Sequence, residues 1–163
     1  MSTTAPTKEL GQGLLKRHEG MSIDDFRKHY TERHALIAIP WFLANGVSYY
    51  AQHKLHRPLS WTSETAASKN AEKIPNLTDW DAGVELKFLP GHSLETMTKG
   101  QSYYQEVIIP DERNLFLTVA LENMESVDAE TVKGERVEFI VDGKAVVDSS
   151  EWRSVWAKYE GRV

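Results

Sequence analysis

The apolar pattern between Met21 and His56 reads as a helix, a tight turn and a strand. Phe26, Tyr30, Arg33, His34, Ile37 and Trp41 recur at steps of three and four, which predicts one shared helix face. Ser22 stands ahead of them as an N-cap, with Asp25 in capping-box position and Asp24 beside it at the positive end of the helix dipole. Pro40 has no N–H and clashes one turn back, so a break or kink is predicted there, followed by a short turn from Trp41 to Asn45. Gly46 supplies a left-handed stop, and Val47 to His56 has strand composition.

Around this unit the chain alternates strands and helices. Leu10 to His18 is predicted as a first strand, weakened by Gly11 and Gly13. Arg57 to Thr78 reads as a long loop with a short helix at Glu64 to Lys73, serving as a lid or as an excursion anchored by Trp61. Val84, Leu86 and Phe88 alternate with Glu85 and Lys87 in a third strand from Asp81 to Leu89. Ser93 caps a second helix or helix pair running to about Phe116, interrupted at Gly100 and Pro110. Leu115 to Leu121 fits strand or helix. Asp142-Gly143 marks a hairpin within Glu135 to Val147. Ser150 to Tyr159 is a helix with Trp152, Val155, Trp156 and Tyr159 on one face.

This order predicts an α+β, ferredoxin-like fold: an antiparallel sheet of about four strands with helices on one face. Residues 9–163 form one domain after a disordered stretch over 1–8. The other face of such a sheet would be bare, so a homodimer is expected.

Composition narrows the partners. A net charge of −5 with no Lys/Arg cluster argues against nucleic acid. No run approaches the ~18 apolar residues of a membrane span, and Met1 to Lys8 lacks the apolar core of a signal peptide. A cytoplasmic protein without a membrane partner is expected. The absence of cysteine removes thiol chemistry and Cys-based metal sites.

Six histidines stand at 18, 29, 34, 53, 56 and 92. His29 and His34 are five apart, predicted on different helix faces, and His53 and His56 point to opposite strand faces. No metal-ligand spacing, phosphate loop or Gly-x-Ser-x-Gly elbow is present, so neither a metal nor a cofactor is expected. Chemistry then falls to His, Tyr, Asp and Glu, acting on a substrate that carries its own electron sink.

His34 is the leading candidate, on the apolar stripe of the first helix; a histidine bonded to backbone would look the same. The more apolar strand face, Val47, Tyr49, Ala51 and Leu55, is expected to pack on the helices. Tyr50 and Gln52 would then line a cavity, and His53 would meet His34. Glu85 lies opposite Val84 and Leu86 and should project into the barrel, either orienting a histidine or pairing with Lys87 or Lys54. Asp111, after Pro110, is a helix cap or an acid. One of Tyr103 and Tyr104 should face the pocket, with Trp41, Phe42 and Trp61 completing an aromatic site for a planar ligand.

Several of these residues resemble the EthD family. They are Leu15-Lys16-Arg17, Gly20-Met21-Ser22, Phe26, Tyr30, Arg33-His34-Ala35, Gly46-Val47 through Tyr50, Gln52-His53, Asp81-Ala82-Gly83-Val84-Glu85-Leu86, Tyr104, Pro110-Asp111-Glu112 and Phe116. The resemblance spans roughly residues 12 to 147. It implies a dimeric α+β barrel with one cavity per subunit, and His34 falls at the family's histidine position. The nearest branch resembles fungal polyketide-tailoring decarboxylases of the atrochrysone carboxylic acid type. The function so implied is a cofactor-independent decarboxylase, a lyase acting on an aromatic polyketide acid. His34 or His53 would serve as acid, with Tyr50 and Gln52 as enolate donors. An anthrone-type oxygenase, a cyclase, a dehydratase or a non-catalytic ligand-binding dimer would use the same residues.

Overall fold

A computed structural model describes residues 11–53, 59–60, 79–98, 101–127, 132 and 135–159. The expectations for residues 1–8, for Trp61, for the helix at 64–73 and for the strand end at 54–56 lie outside these residues.

After β1 (Gln12–Leu15), Ser22 opens α1 (Ile23–His29), its hydroxyl accepting from the Asp25 N–H at 3.1 Å. The next turn, Tyr30–His34, is a π turn: the Ala35 N–H reaches the Tyr30 carbonyl, five residues back. α2 (Ala35–Ala44) follows without a break and carries Pro40 inside it. The predicted break at Pro40 therefore does not form. Ala35, Ile37, Ala38, Ile39, Pro40, Trp41 and Phe42 are all buried, and that packing outweighs one lost hydrogen bond. Arg33 leaves the predicted stripe: its side chain is 58% exposed and lies 5.4 Å over the Trp152 ring. Gly46 ends the helix at φ 79°, where a Cβ would also fall 2.3 Å from the His92 ring.

The remaining elements are β2 (Val47–His53), a small ladder of β3 (Leu59–Ser60) and β4 (Asp79–Trp80), β5 (Ala82–Phe88), a second π turn (Tyr104–Ile108) running into α3 (Ile109–Leu115), α4 (Ala120–Asn123), β6 (Glu125–Val127), β7 (Arg136–Val141), β8 (Lys144–Ala145) and α5 (Ser150–Tyr159). Pro110 sits in the first turn of α3, where its missing donor costs least.

Among the described residues the main sheet has the order β6-β1-β5-β2-β7-β8, with every pairing antiparallel. β1 and β2 therefore run parallel with β5 between them, and β5 and β6 run parallel with β1 between them. These two split βαβ units make the α+β, ferredoxin-like sheet that was expected. The β7–β8 hairpin widens it at the β2 edge, turning through Asp142 (φ 50°) and Gly143 (φ 74°).

Leu15, Tyr50, Val84, Leu86 and Phe88 face the helices in the main core, and α5 packs Trp152, Val155, Trp156 and Tyr159 against it. The opposite face is not bare, as had been expected. Gln12, Leu14, Ala51, His53 and Glu85 are already buried within one chain, and Leu14, Trp80, Val127 and Val132 form a second cluster.

Candidate functional site

In an unbroken α-helix residues five apart stand about 140° apart. The π turn holds one more residue, and it brings His29 and His34 to the same face, contrary to the expectation from spacing. Both reach Asp111: His29 Nε2 lies 2.7 Å from Oδ1 and His34 Nδ1 lies 2.8 Å from Oδ2. Arg33 Nε stands 3.6 Å from Oδ1. Asp111 thus acts as a shared carboxylate, not a cap. Burial pushes its carboxyl up, but the hydrogen bonds and charges of His34 and His29 outweigh this and hold it below the usual carboxylate range.

A depressed folded-state value contributes stability above the ordinary carboxylate pKa, and that contribution is lost as pH falls through the folded value. Asp111→Asn should therefore lower the melting temperature at neutral pH, and the difference from wild type should close in acid. A constant difference across the titration would contradict this pairing.

The His34 ring lies stacked beside Tyr30 (6.2 Å between centroids) and edge-on to Phe116 (5.4 Å). With Nδ1 tied to Asp111, Nε2 has no hydrogen-bond partner among the described residues. His34 lines a cavity of about 50 Å³ between helices and sheet, together with Tyr30, Trp41, Phe42, Tyr50, Tyr104 and Glu112. Trp41 stacks on Phe42 (5.1 Å) and on Tyr104 (5.0 Å), and Phe42 meets Tyr50 edge-on (4.7 Å). Tyr104 is the member of its pair that faces the cavity, with burial pushing its hydroxyl up to about 12. Tyr103 turns into the core and donates to the Ile37 carbonyl at 2.7 Å.

The faces of β2 are reversed from the expectation. Tyr50 and Gln52 point to the helices, in register with Leu86 and Val84 of β5. Tyr49 lies on the other side, 5.4 Å from the Lys87 ammonium. The cavity itself lies on the helix side, so Tyr50 still lines it. The Gln52 amide is engaged within the chain: its Nε2 donates to the Tyr30 carbonyl (2.8 Å) and to the Tyr50 hydroxyl (3.0 Å), and its Oε1 accepts from Thr31 (3.1 Å). Its work is to hold Tyr50, whose own hydroxyl hydrogen stays available to the cavity. Burial raises the Tyr50 pKa, so the phenol stays protonated.

His53 does not meet His34. Its Nε2 lies 3.2 Å from Gln12 Nε2, on the opposite sheet face. The Gln12 amide is oriented by Val132, whose N–H donates to Oε1 (2.6 Å) and whose carbonyl accepts from Nε2 (3.1 Å). Gln12 Nε2 is therefore a donor, His53 Nε2 accepts, and the ring is neutral with its hydrogen on Nδ1. Burial lowers the His53 pKa, in agreement, although Glu85 pulls it upward. Glu85 faces away from the helices as predicted, with Oε2 3.5 Å from His53 Nε2 and 3.4 Å from an Arg136 guanidinium nitrogen. This pair stands apart from the His34 cavity.

A wider cleft of about 280 Å³ runs along α1 and the end of the sheet, bordered by Arg27, Lys28, Thr31 and Gln52. Glu32, His53 and Asp81 also line it, so His53 borders this cleft and not the His34 cavity; only Tyr30 lines both. Among the described residues, no three His, Asp or Glu side chains are disposed to hold a metal ion, and no helix is long and apolar enough to cross a membrane.

Two groups of the site escaped the sequence reading. His29 was hidden by the α-helical phase. Glu112 reads as one more acidic residue in a helix first turn, yet it is 4% exposed and lines the cavity. Burial raises its carboxyl pKa; His34 and the Ala120 N–H, which donates to Oε2 at 3.0 Å, pull it down, and Asp111 pushes it up.

Fold and site together define a small α+β domain built on split βαβ units, with a histidine–carboxylate pair set against an aromatic cavity. The model of the EthD domain family matches residues 18–117, and the chain belongs to that family. The matched span contains His29, His34, Tyr50, Asp111 and Glu112. No curated protein and no solved structure matches the chain.

Proposed function

We propose that this protein is a cofactor-independent lyase that decarboxylates an aromatic polyketide carboxylic acid in secondary-metabolite biosynthesis, acting in the cytoplasm as a homodimer. The observation that carries the reading is His34, held through Nδ1 by an ionised Asp111 with Nε2 left to an aromatic cavity.

A carboxyl β to a carbonyl needs neither metal nor cofactor to leave. The bond to carbon dioxide breaks and its electron pair passes to the carbonyl as an enolate. The Tyr50 hydroxyl donates to that oxygen, and His34 as imidazolium returns a proton to carbon from Nε2. Asp111 stabilises the imidazolium and fixes its orientation. Trp41, Phe42 and Tyr104 supply flat apolar walls for the ring. The cavity holds only about 50 Å³ and reaches the surface beside the exposed Leu121, so admission of an aromatic acid requires its lining to widen.

Purified protein incubated with a labile β-keto aromatic acid should release carbon dioxide without consuming oxygen. Oxygen uptake instead would identify an oxygenase of the anthrone type, and neither signal would remove the lyase reading. The dimer rests on the resemblance to dimeric barrels. Light scattering at micromolar concentration should give twice the 18.5 kDa chain mass, and a monomer there would exclude it.

A further inference from the structure

The cavity carries a second acidic group that the mechanism above does not use. Glu112 lies one residue beyond Asp111, is 4% exposed, and presents its carboxyl to the same cavity as His34 and Tyr50. Its two oxygens are not equivalent. Oε2 accepts the Ala120 N–H at 3.0 Å, while Oε1 has no hydrogen-bond partner among the described residues. A backbone N–H can only donate, so in the protonated acid Oε2 serves as the carbonyl oxygen and the hydrogen sits on Oε1.

We propose that Glu112 is held as a neutral carboxylic acid and, with Tyr50, forms a two-donor hole for the oxyanion of the reacting ligand. The inference rests on the lyase reading above and extends it to a ligand class: the molecule must present a carbonyl or enolate oxygen between these two hydroxyls.

The surroundings of Glu112 favour the neutral form. Asp111, on its own helix, is ionised and repels a second negative charge. Tyr50 from β2 and Tyr104 from the second π turn are both protonated phenols. His34 and the Ala120 N–H favour the anion, but burial is the largest influence and acts against it.

The geometry then divides the labour. Tyr50 accepts from Gln52 and keeps its hydroxyl hydrogen for the ligand. Glu112 accepts from Ala120 and keeps the hydrogen on Oε1. Both donors are oriented by a neighbour before any ligand arrives, and both residues are buried, the arrangement that gives oxyanion donors their largest effect. No proton need pass from Glu112. It donates a hydrogen bond as the carbon–carbon bond breaks and retains its hydrogen when His34 has protonated the carbon. A neutral acid also spares the leaving carboxylate group a like charge in the cavity.

The test compares wild type with Glu112→Gln and Glu112→Leu. Glutamine can accept from Ala120 through Oε1 and donate to the cavity through Nε2, so it keeps the donor and loses only the ability to titrate. The donor role predicts that Glu112→Gln loses less than about tenfold in kcat and that Glu112→Leu loses about 10²–10³-fold. A Glu112→Leu variant as active as wild type, or a Glu112→Gln variant as inactive as the leucine variant, overturns it.

An infrared difference spectrum of wild type minus Glu112→Gln at pH 7 needs no substrate. A protonated-carboxyl band is expected in wild type, and its absence overturns the proposal. If wild type releases no carbon dioxide from any acid, the lyase reading fails, and the spectrum still decides whether Glu112 is a neutral donor.

Discussion

Replacing His34 by glutamine should leave a folded protein whose turnover is lowered by about 10²–10⁴-fold, the usual range for losing a general acid or base. Glutamine is a fair probe at this position. It can still donate to Asp111 from an amide nitrogen, and it fills much of the space between Tyr30 and Phe116. It cannot carry a proton to carbon. His34→Ala should lose as much activity and more stability, because it leaves the buried Asp111 carboxylate with His29 and Arg33 alone. The pair of variants separates chemistry from packing: urea titration reports stability, and carbon dioxide release reports turnover. A folded glutamine variant with wild-type turnover would remove His34 from the mechanism. Within this cavity the role could not then pass to His53, which lies on the other face of the sheet, bonded to Gln12, and lines the wider cleft instead.

Truncating Phe116 to alanine should cost about 3–5 kcal/mol, the range for a large aromatic lost from a tight core. Phe116 is fully buried, and its ring meets Phe26 (6.1 Å), Tyr30 (5.9 Å) and His34 (5.4 Å). Its backbone also bridges to Arg17, which ties the end of α3 to the chain after β1. The alanine would leave a cavity bordered by three rings from α1 and the π turn, none of which can collapse far because each is held by other contacts. For a chain of this length the loss corresponds to a fall in melting temperature of roughly 6–20 °C. The denaturation midpoint should fall with an unchanged slope. Activity should fall as well, since His34 loses its edge-on neighbour. A loss below about 1 kcal/mol would mean that the site repacks, and that the aromatic cluster does not hold the histidine in place.

The wall of the cavity and its chemistry were only partly visible in the residues themselves. His34, Tyr50, Trp41, Phe42 and Tyr104 could be chosen in advance because each lies on a strongly periodic or aromatic segment, and all five line the cavity. Asp111 was visible as a residue but not as a role, since a helix-start carboxylate and a histidine partner look alike in one dimension. Glu112 stood within the Pro110-Asp111-Glu112 run of the family resemblance, but nothing in the sequence marked its role. What makes it unusual is burial, which belongs to the assembled fold.

The same division runs through the architecture. Ser22, Gly46, the Asp142-Gly143 turn and the amphipathic α5 were legible from sequence because each depends on local physics: a cap, a positive φ, a two-residue hairpin, a single apolar stripe. Tertiary structure decided the rest. Pro40 sits in a continuous helix because its surroundings are apolar on nearly every side. Which face of β2 meets the helices was decided by register with β5, whose Val84 and Leu86 already faced them, and not by a count of apolar side chains on β2 alone. β6 has three residues and too little pattern to announce itself; pairing with β1 makes it a strand. The π turn shifts the phase of α1 by one residue, and only that shift lets two histidines five apart share one carboxylate from a helix 77 residues further along the chain. Helical periodicity assumes 3.6 residues per turn throughout, and packing around Tyr30 to His34 sets a turn of this helix where that assumption fails.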